Sequence, residues 1–140
     1  LSRGLIDFDK ERAVAERYRG SLRIKTRDVG VGVTTLSGGN QQKVVLAKWM
    51  FTDPDLLILD EPTRGIDVGA KYEIYGIIQR LASQGKGVIV ISSELPELIG
   101  LCDRIYTVFE GMITSDIPRH AADPETLMKS MTSVKKIQTP

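Results

Sequence analysis

Cysteine and histidine are almost absent from this chain of 140 residues, and neither sign of charge predominates. Cys102 is the only cysteine, so no internal disulfide can form, which favours a reducing compartment. His120 is the only histidine, and because it lies in a linker-like stretch we expect it to be exposed and non-catalytic. No zinc-ligand spacing or Ser-His-Asp triad is present. A net charge of +1 gives no reason to expect nucleic acid or lipid as the main partner.

Long apolar runs are also missing. No stretch reaches the roughly 18 apolar residues that a membrane-spanning helix needs, and no signal peptide opens the sequence. From this we expect a soluble, cytosolic chain. Its length suits one globular unit or a piece of one, which would bury roughly two thirds of the surface of the unfolded chain.

A phosphate-binding loop of the form Gly-x-x-x-x-Gly-Lys-Ser/Thr occurs nowhere in the sequence. What is present reads as the other half of an ATP site. The turn Ser37-Gly38-Gly39 precedes a helix, and a short apolar run ends in Asp60 and Glu61. We therefore predict phosphoryl chemistry, but no ATP turnover by this chain alone.

Hydrophobic periodicity predicts two helices before a short strand. The first helix covers residues 9–19, with Asp9 as its cap. Residues 38–52 are apolar nearly all round, which is typical of a helix packed inside the molecule, and Trp49 is expected to join that packing. The continuous apolar run at residues 56–59 predicts a central strand covered on both faces.

The rest of the chain alternates strands and helices. Asp67 is expected to cap a helix that Gly85 ends, and its apolar stripe should lie on the sheet: Ala70, Ile74, Ile77, Ile78 and Leu81. A second buried strand at residues 88–91 would complete a right-handed parallel unit. The remaining predicted elements are a helix at 95–101, a hairpin of strands 105–109 and 112–117 about Glu110-Gly111, a helix capped by Asp123 with Pro124 at its first position, and a loose tail at 133–140.

The glycine turn can bind an anion without a lysine. Because Gly38 and Gly39 have no Cβ, their N–H groups can approach an anion closely, and the helix behind adds its positive end. Ser37 can donate its hydroxyl hydrogen to a phosphate oxygen or can cap the helix. An ordinary serine-capped helix after a flexible turn is the alternative, and the turn taken by itself favours that alternative.

Two acidic residues directly after four aliphatic ones indicate that a cation or a strong hydrogen-bond network receives them. Successive strand side chains point to opposite faces, so Asp60 and Glu61 can serve one site only if the chain turns just after Asp60. Pro62 makes such a turn plausible. In this interpretation Asp60 holds Mg²⁺ and Glu61 orients or deprotonates the attacking water. The alternative is a strand end that exposes two acids to solvent.

These motifs, in this order and spacing, resemble the ATP-binding cassette (ABC) ATPases of membrane transporters. Residues 36–41 resemble the signature motif of the family, residues 57–61 its Walker B strand and catalytic glutamate, residues 65–67 its D-loop, and residues 91–94 its switch segment. Finer features, including Asn40 in place of the more usual Gln, resemble the second, C-terminal cassette of the fused two-cassette ATPases of bacterial monosaccharide importers of the ribose, galactose and xylose type.

The resemblance implies a fold class and a set of site residues. The fold would be an incomplete α/β domain of the P-loop NTPase type, with parallel central strands flanked by helices, lacking the Walker A part. Residues at the nucleotide would be Ser37, Gly38, Gly39, Asn40, Gln41 and Asp67, with Asp60 at the metal and Glu61 and Ser93 as catalytic residues. Ser93 stands where the family normally carries a histidine, which puts hydrolysis at this half's own site in doubt.

The resemblance also implies domains, cofactors and partners. Residues 1–35 would be a remnant of the helical subdomain, 36–118 the part with signature, Walker B, D-loop and switch, and 119–140 the C-terminal helix and tail. ATP and Mg²⁺ are expected in the complete protein and not on this piece, which would begin inside the helical subdomain. The expected partners are the N-terminal cassette of the same polypeptide and the transmembrane permease subunits, at the cytoplasmic face of the inner membrane. Self-association through an exposed sheet edge is a further expectation.

Two other classes of function are alternatives. The head lobe of a chromosome-maintenance or DNA-repair ATPase also carries signature and Walker B apart from the phosphate loop, but no sustained heptad flanks this sequence. A non-catalytic assembly module would keep the fold without nucleotide. The sequence does not name the sugar, since selectivity belongs to other subunits of such an importer.

Overall fold

The computed structural model of the chain describes residues 7–132. Its elements in chain order are α1 (Phe8–Ser21), a 3-10 turn (Val33–Thr35), α2 (Gly38–Phe51), β1 (Leu56–Asp60), α3 (Val68–Ser83), β2 (Gly87–Ile91), α4 (Leu95–Leu101), β3 (Arg104–Phe109), β4 (Met112–Pro118), a 3-10 turn (Arg119–Ala121) and α5 (Pro124–Thr132). The predicted α/β class is confirmed. The predicted loose tail at 133–140 lies outside the described residues.

The described chain forms two compact units. The first unit contains residues 7–58 and 62–89, and the second contains residues 59–61 and 90–132. The first unit therefore holds α1, α2 and α3, and the second holds α4, the β3–β4 hairpin and α5.

The first helix begins one residue earlier than predicted, and its cap lies two residues earlier. Asp7, not Asp9, is the cap, and its carboxylate accepts a hydrogen bond from the Lys10 N–H at 3.1 Å. Asp9 lies inside the first turn, where its negative charge favours the helix start without capping it. None of the residues of α1 is buried.

The prediction that α2 is buried all round is wrong. Only one side is covered, at Gly39, Lys43, Leu46 and Ala47. Trp49 is 53% exposed, and the Lys48 ammonium lies 5.8 Å from the centre of its ring. The apolar residues encircle the helix, but α3 can cover one side of it only, so the predicted packing of Trp49 is not observed.

The third helix follows its sequence pattern. Asp67 caps it by accepting a hydrogen bond from the Ala70 N–H at 2.9 Å. Four of the five residues predicted for its apolar stripe are buried, namely Ile74, Ile77, Ile78 and Leu81, whereas Ala70 is half-buried. Gly85 follows the helix end at φ +83, a conformation that glycine adopts without strain.

Strands β1 and β2 pair in parallel. The Gly87 N–H donates to the Asp55 carbonyl at one end and the Glu61 N–H donates to the Ile91 carbonyl at the other, both at 2.8 Å. The prediction that both strands are fully buried is wrong, because burial alternates along β1. Four side chains about half exposed mark the uncovered face, since no element among residues 7–132 covers it: Leu56, Ile58, Ile89 and Ile91. Self-association through an exposed sheet edge stays a prediction.

The second unit is built on the predicted hairpin. Strands β3 and β4 are antiparallel and turn at Glu110 and Gly111, both of which have positive φ. A small apolar core of Ile105, Ile117 and Leu127 joins the hairpin to α5, with Cys102 packed partly buried against it. The last helix begins as predicted at Pro124, and the Asp123 carboxylate accepts from the Thr126 N–H at 3.0 Å.

Candidate nucleotide site

The signature turn (residues 36–41) opens α2 with a serine that does not cap the helix. Ser37 stands at the cap position, but its side chain makes no hydrogen bond to a helix N–H. The first N–H groups of a helix have no intrahelical partner, so the start of α2 keeps donors available for an anion. The alternative of an ordinary serine-capped helix is therefore not what the structure adopts.

Asn40 and Gln41 hold the signature turn together. The Asn40 Nδ2 donates to Ser37 Oγ at 2.8 Å, and the Asn40 Oδ1 accepts from the Lys25 N–H at 2.9 Å. The Gln41 Nε2 donates to the Leu36 carbonyl at 2.8 Å. The amide groups predicted to face nucleotide are thus bonded to the chain itself in this structure.

The two glycines bring the signature turn against the D-loop segment (residues 65–67) and α3. A Cβ on Gly39 would lie 2.4 Å from the Cβ of Ala70, and one on Gly38 would lie 3.3 Å from Cγ2 of Ile66. The sequence predicts that both glycines let an anion approach closely. The structure gives Gly39 a packing role as well, because only glycine allows α2 and α3 to come this close.

A polar cavity of about 220 Å³ lies beside the signature turn. Four predicted site residues line it, namely Ser37, Gly39, Asn40 and Asp67, whereas Gly38 and Gln41 do not. The other lining residues are Lys25, Gly69, Ala70 and Glu73. The start of α2 and the start of α3 therefore meet at one small polar space.

A buried lysine that was not among the predicted site residues joins α2 to α3. Lys43 is 1% exposed, and its Nζ lies 2.5 Å from Oε2 of Glu73 and 3.1 Å from the Arg23 carbonyl. The hydrogen bond from Lys43 holds the pKa of Glu73 below its ordinary value. The sequence signal for this pair is a lysine on the buried side of an otherwise largely apolar helix. Because a lysine is rarely buried without a partner, such a position predicts an ion pair.

The two strand-end acids lie in the second unit, where the chain turns as predicted. Glu61 has φ +46, a conformation that costs a non-glycine residue energy and persists where the surroundings hold it. Its Oε1 accepts a hydrogen bond from the Ser93 N–H at 3.0 Å. The structure thus brings Glu61 and Ser93 together through the backbone N–H of Ser93.

Asp60 is exposed at the end of β1. Among residues 7–132 no group of three or more His, Cys, Asp or Glu side chains is placed to hold a metal ion. A single exposed carboxylate still fits Mg²⁺, because this ion keeps several waters and is commonly bound by one or two carboxylates together with substrate phosphates.

The switch segment (residues 91–94) is held by a buried acidic residue that was also not among the predicted site residues. Ser92 Oγ donates a very short hydrogen bond to Oε2 of the buried Glu97 and accepts one from the Glu94 N–H at 3.0 Å. This arrangement fixes the chain on both sides of Ser93. The sequence signal for this arrangement is Glu97, the single charged residue in the otherwise apolar helix α4.

The residues given minor roles behave as follows. His120 is exposed, as predicted. Burial raises the pKa of the Cys102 thiol, which suits a small packed side chain. Across residues 7–132 every helix is too short or too polar to pass through a bilayer.

Comparison with known sequences identifies relatives of this chain. The sequence model of the family described as ABC transporter matches residues 7–64. The L-arabinose transport ATP-binding protein AraG of Geobacillus stearothermophilus is 60% identical over 128 residues, which cover 91% of this chain and 25% of that protein. The xylose import ATP-binding protein XylG of Geobacillus kaustophilus is 53% identical over 94% of this chain and 26% of that protein. The ribose import ATP-binding protein RbsA 2 of Streptomyces avermitilis is 48% identical over 92% and 26%.

Solved structures give the same fold. A dimeric bacterial ABC transporter cassette superimposes with a TM-score of 0.71 at 23% identity, covering 84% of this chain and 50% of that chain. An ATP-binding cassette in its ADP conformation has a TM-score of 0.68 at 21% identity, covering 92% and 52%. The chain thus spans about a quarter of the curated relatives and half of the solved cassettes. With these matches and this fold, the chain belongs to the ABC transporter ATPases as part of one ATPase domain.

Proposed function

We propose that this chain closes over an ATP molecule held by another cassette, with Ser37, Gly38 and Gly39 facing its phosphates. The observation that carries the proposal is the uncapped start of α2, whose free donors adjoin a polar cavity that Asp67 also lines. A helix start is worth about 0.3 to 1 kcal/mol toward a nearby anion in the open, and more when it is buried. Asp67 acts both as the cap of α3 and as a contact near the partner cassette.

The process driven by this ATP is monosaccharide uptake. Three relatives at 48–60% identity are named for the transport or import of arabinose, xylose and ribose, which supports a sugar importer without selecting the sugar. We place the chain in the C-terminal cassette of a fused two-cassette protein, with the domain division 1–35, 36–118 and 119–140. Its partners are then the N-terminal cassette of the same polypeptide and the transmembrane permease subunits, at the cytoplasmic face of the membrane.

The second unit supplies acids to the site of the cassette's own nucleotide. Asp60 would hold Mg²⁺, which when bound neutralises charge on the phosphates, and Glu61 would orient the attacking water. Ser93 offers a backbone N–H to Glu61 and no imidazole to handle a proton, so this site would be slow. Because a Walker A loop is absent from the sequence, the 140 residues alone are not expected to hydrolyse ATP.

The test is Ser37→Arg in the full-length protein with its permease. A bulky side chain at the start of α2 fills the space that the phosphates need, so sugar-coupled ATP turnover should fall to a small fraction of the wild-type rate. Ser83→Arg is the matched control, since it adds the same side chain at the exposed end of α3. Wild-type turnover in Ser37→Arg, with the fold intact by circular dichroism, would refute the proposal.

A further inference from the structure

The Asn40 side chain makes two hydrogen bonds whose directions are fixed by chemistry. Its Oδ1 lies 2.9 Å from the backbone N of Lys25, and its Nδ2 lies 2.8 Å from Ser37 Oγ. A backbone N–H can only donate, so the amide oxygen must be the atom that faces Lys25. The NH₂ group then faces Ser37 and can only donate, which leaves the serine oxygen as acceptor.

The direction of that second bond determines what Ser37 can do next. A hydroxyl has one hydrogen to donate and two lone pairs to accept with. Since Asn40 occupies a lone pair, the hydrogen of Ser37 stays available, and no helix N–H competes for the oxygen. Ser37 and Asn40 both line the polar cavity of about 220 Å³.

We propose that Asn40 is a positioning residue that makes Ser37 a hydrogen-bond donor toward a phosphate oxygen of the bound triphosphate. Asn40 itself does not contact the nucleotide in this role. It acts through Ser37 and ties that serine to the backbone at Lys25, so the hydroxyl is oriented before the phosphate arrives. The inference rests on the proposed function, and it replaces direct nucleotide binding as the role of Asn40.

A purely structural role for Asn40 makes a different prediction. If the side chain only ties Lys25 to the helix, any residue that keeps an acceptor toward the Lys25 N–H should preserve activity. Asn40→Asp is such a substitution, because one oxygen of the new carboxylate can still accept a hydrogen bond from the Lys25 N–H. Its negative charge in the first turn of α2 also favours the helix.

Asn40→Asp reverses the bond to Ser37. A carboxylate cannot donate, so the Ser37 hydroxyl turns and donates to it, and its hydrogen no longer reaches the phosphate. Hydrogen bonds to charged groups are strong enough that this loss should raise the KM for ATP or lower kcat by about tenfold to hundredfold. The thermal unfolding temperature should stay equal or rise.

The experiment measures kcat and KM for ATP in the full-length protein. Gln42→Glu, on the same helix, is the control for added negative charge. A second arm compares Asn40→Ala in the wild type and in Ser37→Ala. If Asn40 acts through Ser37, Asn40→Ala should reduce turnover in the first background and leave it nearly unchanged in the second. This arm also decides the question if Asn40→Asp fails to fold.

Three results separate the possible outcomes. Loss in Asn40→Asp well beyond that in Gln42→Glu, together with the Ser37-dependent effect of Asn40→Ala, supports the positioning role. Equal turnover in Asn40→Asp and Gln42→Glu, or equal effects of Asn40→Ala in both backgrounds, overturns it while Ser37→Arg still inactivates. If Ser37→Arg itself leaves turnover intact, the proposed function is refuted, and the positioning role of Asn40, which depends on that function, is refuted as well.

Discussion

The close approach of α2 and α3 at Gly39 and Ala70 predicts the outcome of a double-mutant cycle. In Gly39→Ala the new Cβ would lie 2.4 Å from the Cβ of Ala70, whereas non-bonded carbon atoms are stable at about 3.5 to 4.0 Å. The Ala70 Cβ is attached directly to the backbone, so it has no rotamer by which to move away. The starts of α2 and α3 must therefore separate by about 1 Å.

The magnitudes of the single and double changes follow from this overlap. Overpacking in Gly39→Ala should lower the free energy of unfolding by about 1 to 3 kcal/mol. The higher helix propensity of alanine offsets less than about 1 kcal/mol of this loss. Ala70→Gly alone should cost about 0.5 to 1 kcal/mol. In the double variant the clash is gone, so we expect it to be about 1 to 3 kcal/mol more stable than the sum of the single changes predicts.

The cycle is measured by urea unfolding of the 140-residue chain, followed by the fluorescence of Trp49. Trp49 is the only tryptophan in this sequence, and it lies on α2. Turnover of the full-length protein is the second readout, since displacing α2 displaces Ser37. We expect Gly39→Ala to lose turnover and Ala70→Gly to restore part of it in the double variant. Free energies of unfolding that add to within about 0.5 kcal/mol would show that the two residues do not clash and would refute the reasoning.

Two further predictions concern acidic residues. Glu61→Gln in the full-length protein should reduce turnover less than the same change at the other cassette, because Ser93 offers no imidazole, and equal reductions in steady-state ATPase assays would contradict this. The hydrogen bond from Lys43 holds the pKa of Glu73 below its ordinary value, so this ion pair stabilises the fold above that ordinary pKa and the stabilisation is lost as the pH falls through the lowered pKa. Acid unfolding curves of Glu73→Gln should therefore be flatter below about pH 4.5 than those of the wild type, and identical slopes would argue against the pair.

The sequence by itself determined which elements form and where several of them end. The caps Asp67 and Asp123, the hairpin turn at Glu110 and the turn after Asp60 were all predicted and all observed. Each depends on hydrogen bonds or backbone preferences among residues a few positions apart, so the local sequence is enough to specify it. The prediction of Asp9 as the first cap was wrong, because Asp7 is an equally suitable acid and the helix begins at Phe8.

Only the tertiary structure decided which surfaces are covered and which way hydrogen bonds run. Trp49 and Ile58 are apolar in a pattern that fits burial, yet whether another element packs over them cannot be read from their own neighbours in sequence. The pairing of Lys43 with Glu73 and the bond from Lys25 to Asn40 join residues 30 and 15 positions apart. The sequence thus supplied the turn Ser37-Gly38-Gly39, and long-range contacts set the direction of its hydrogen bonds, because a side chain's partner is fixed by the fold and not by its position along the chain.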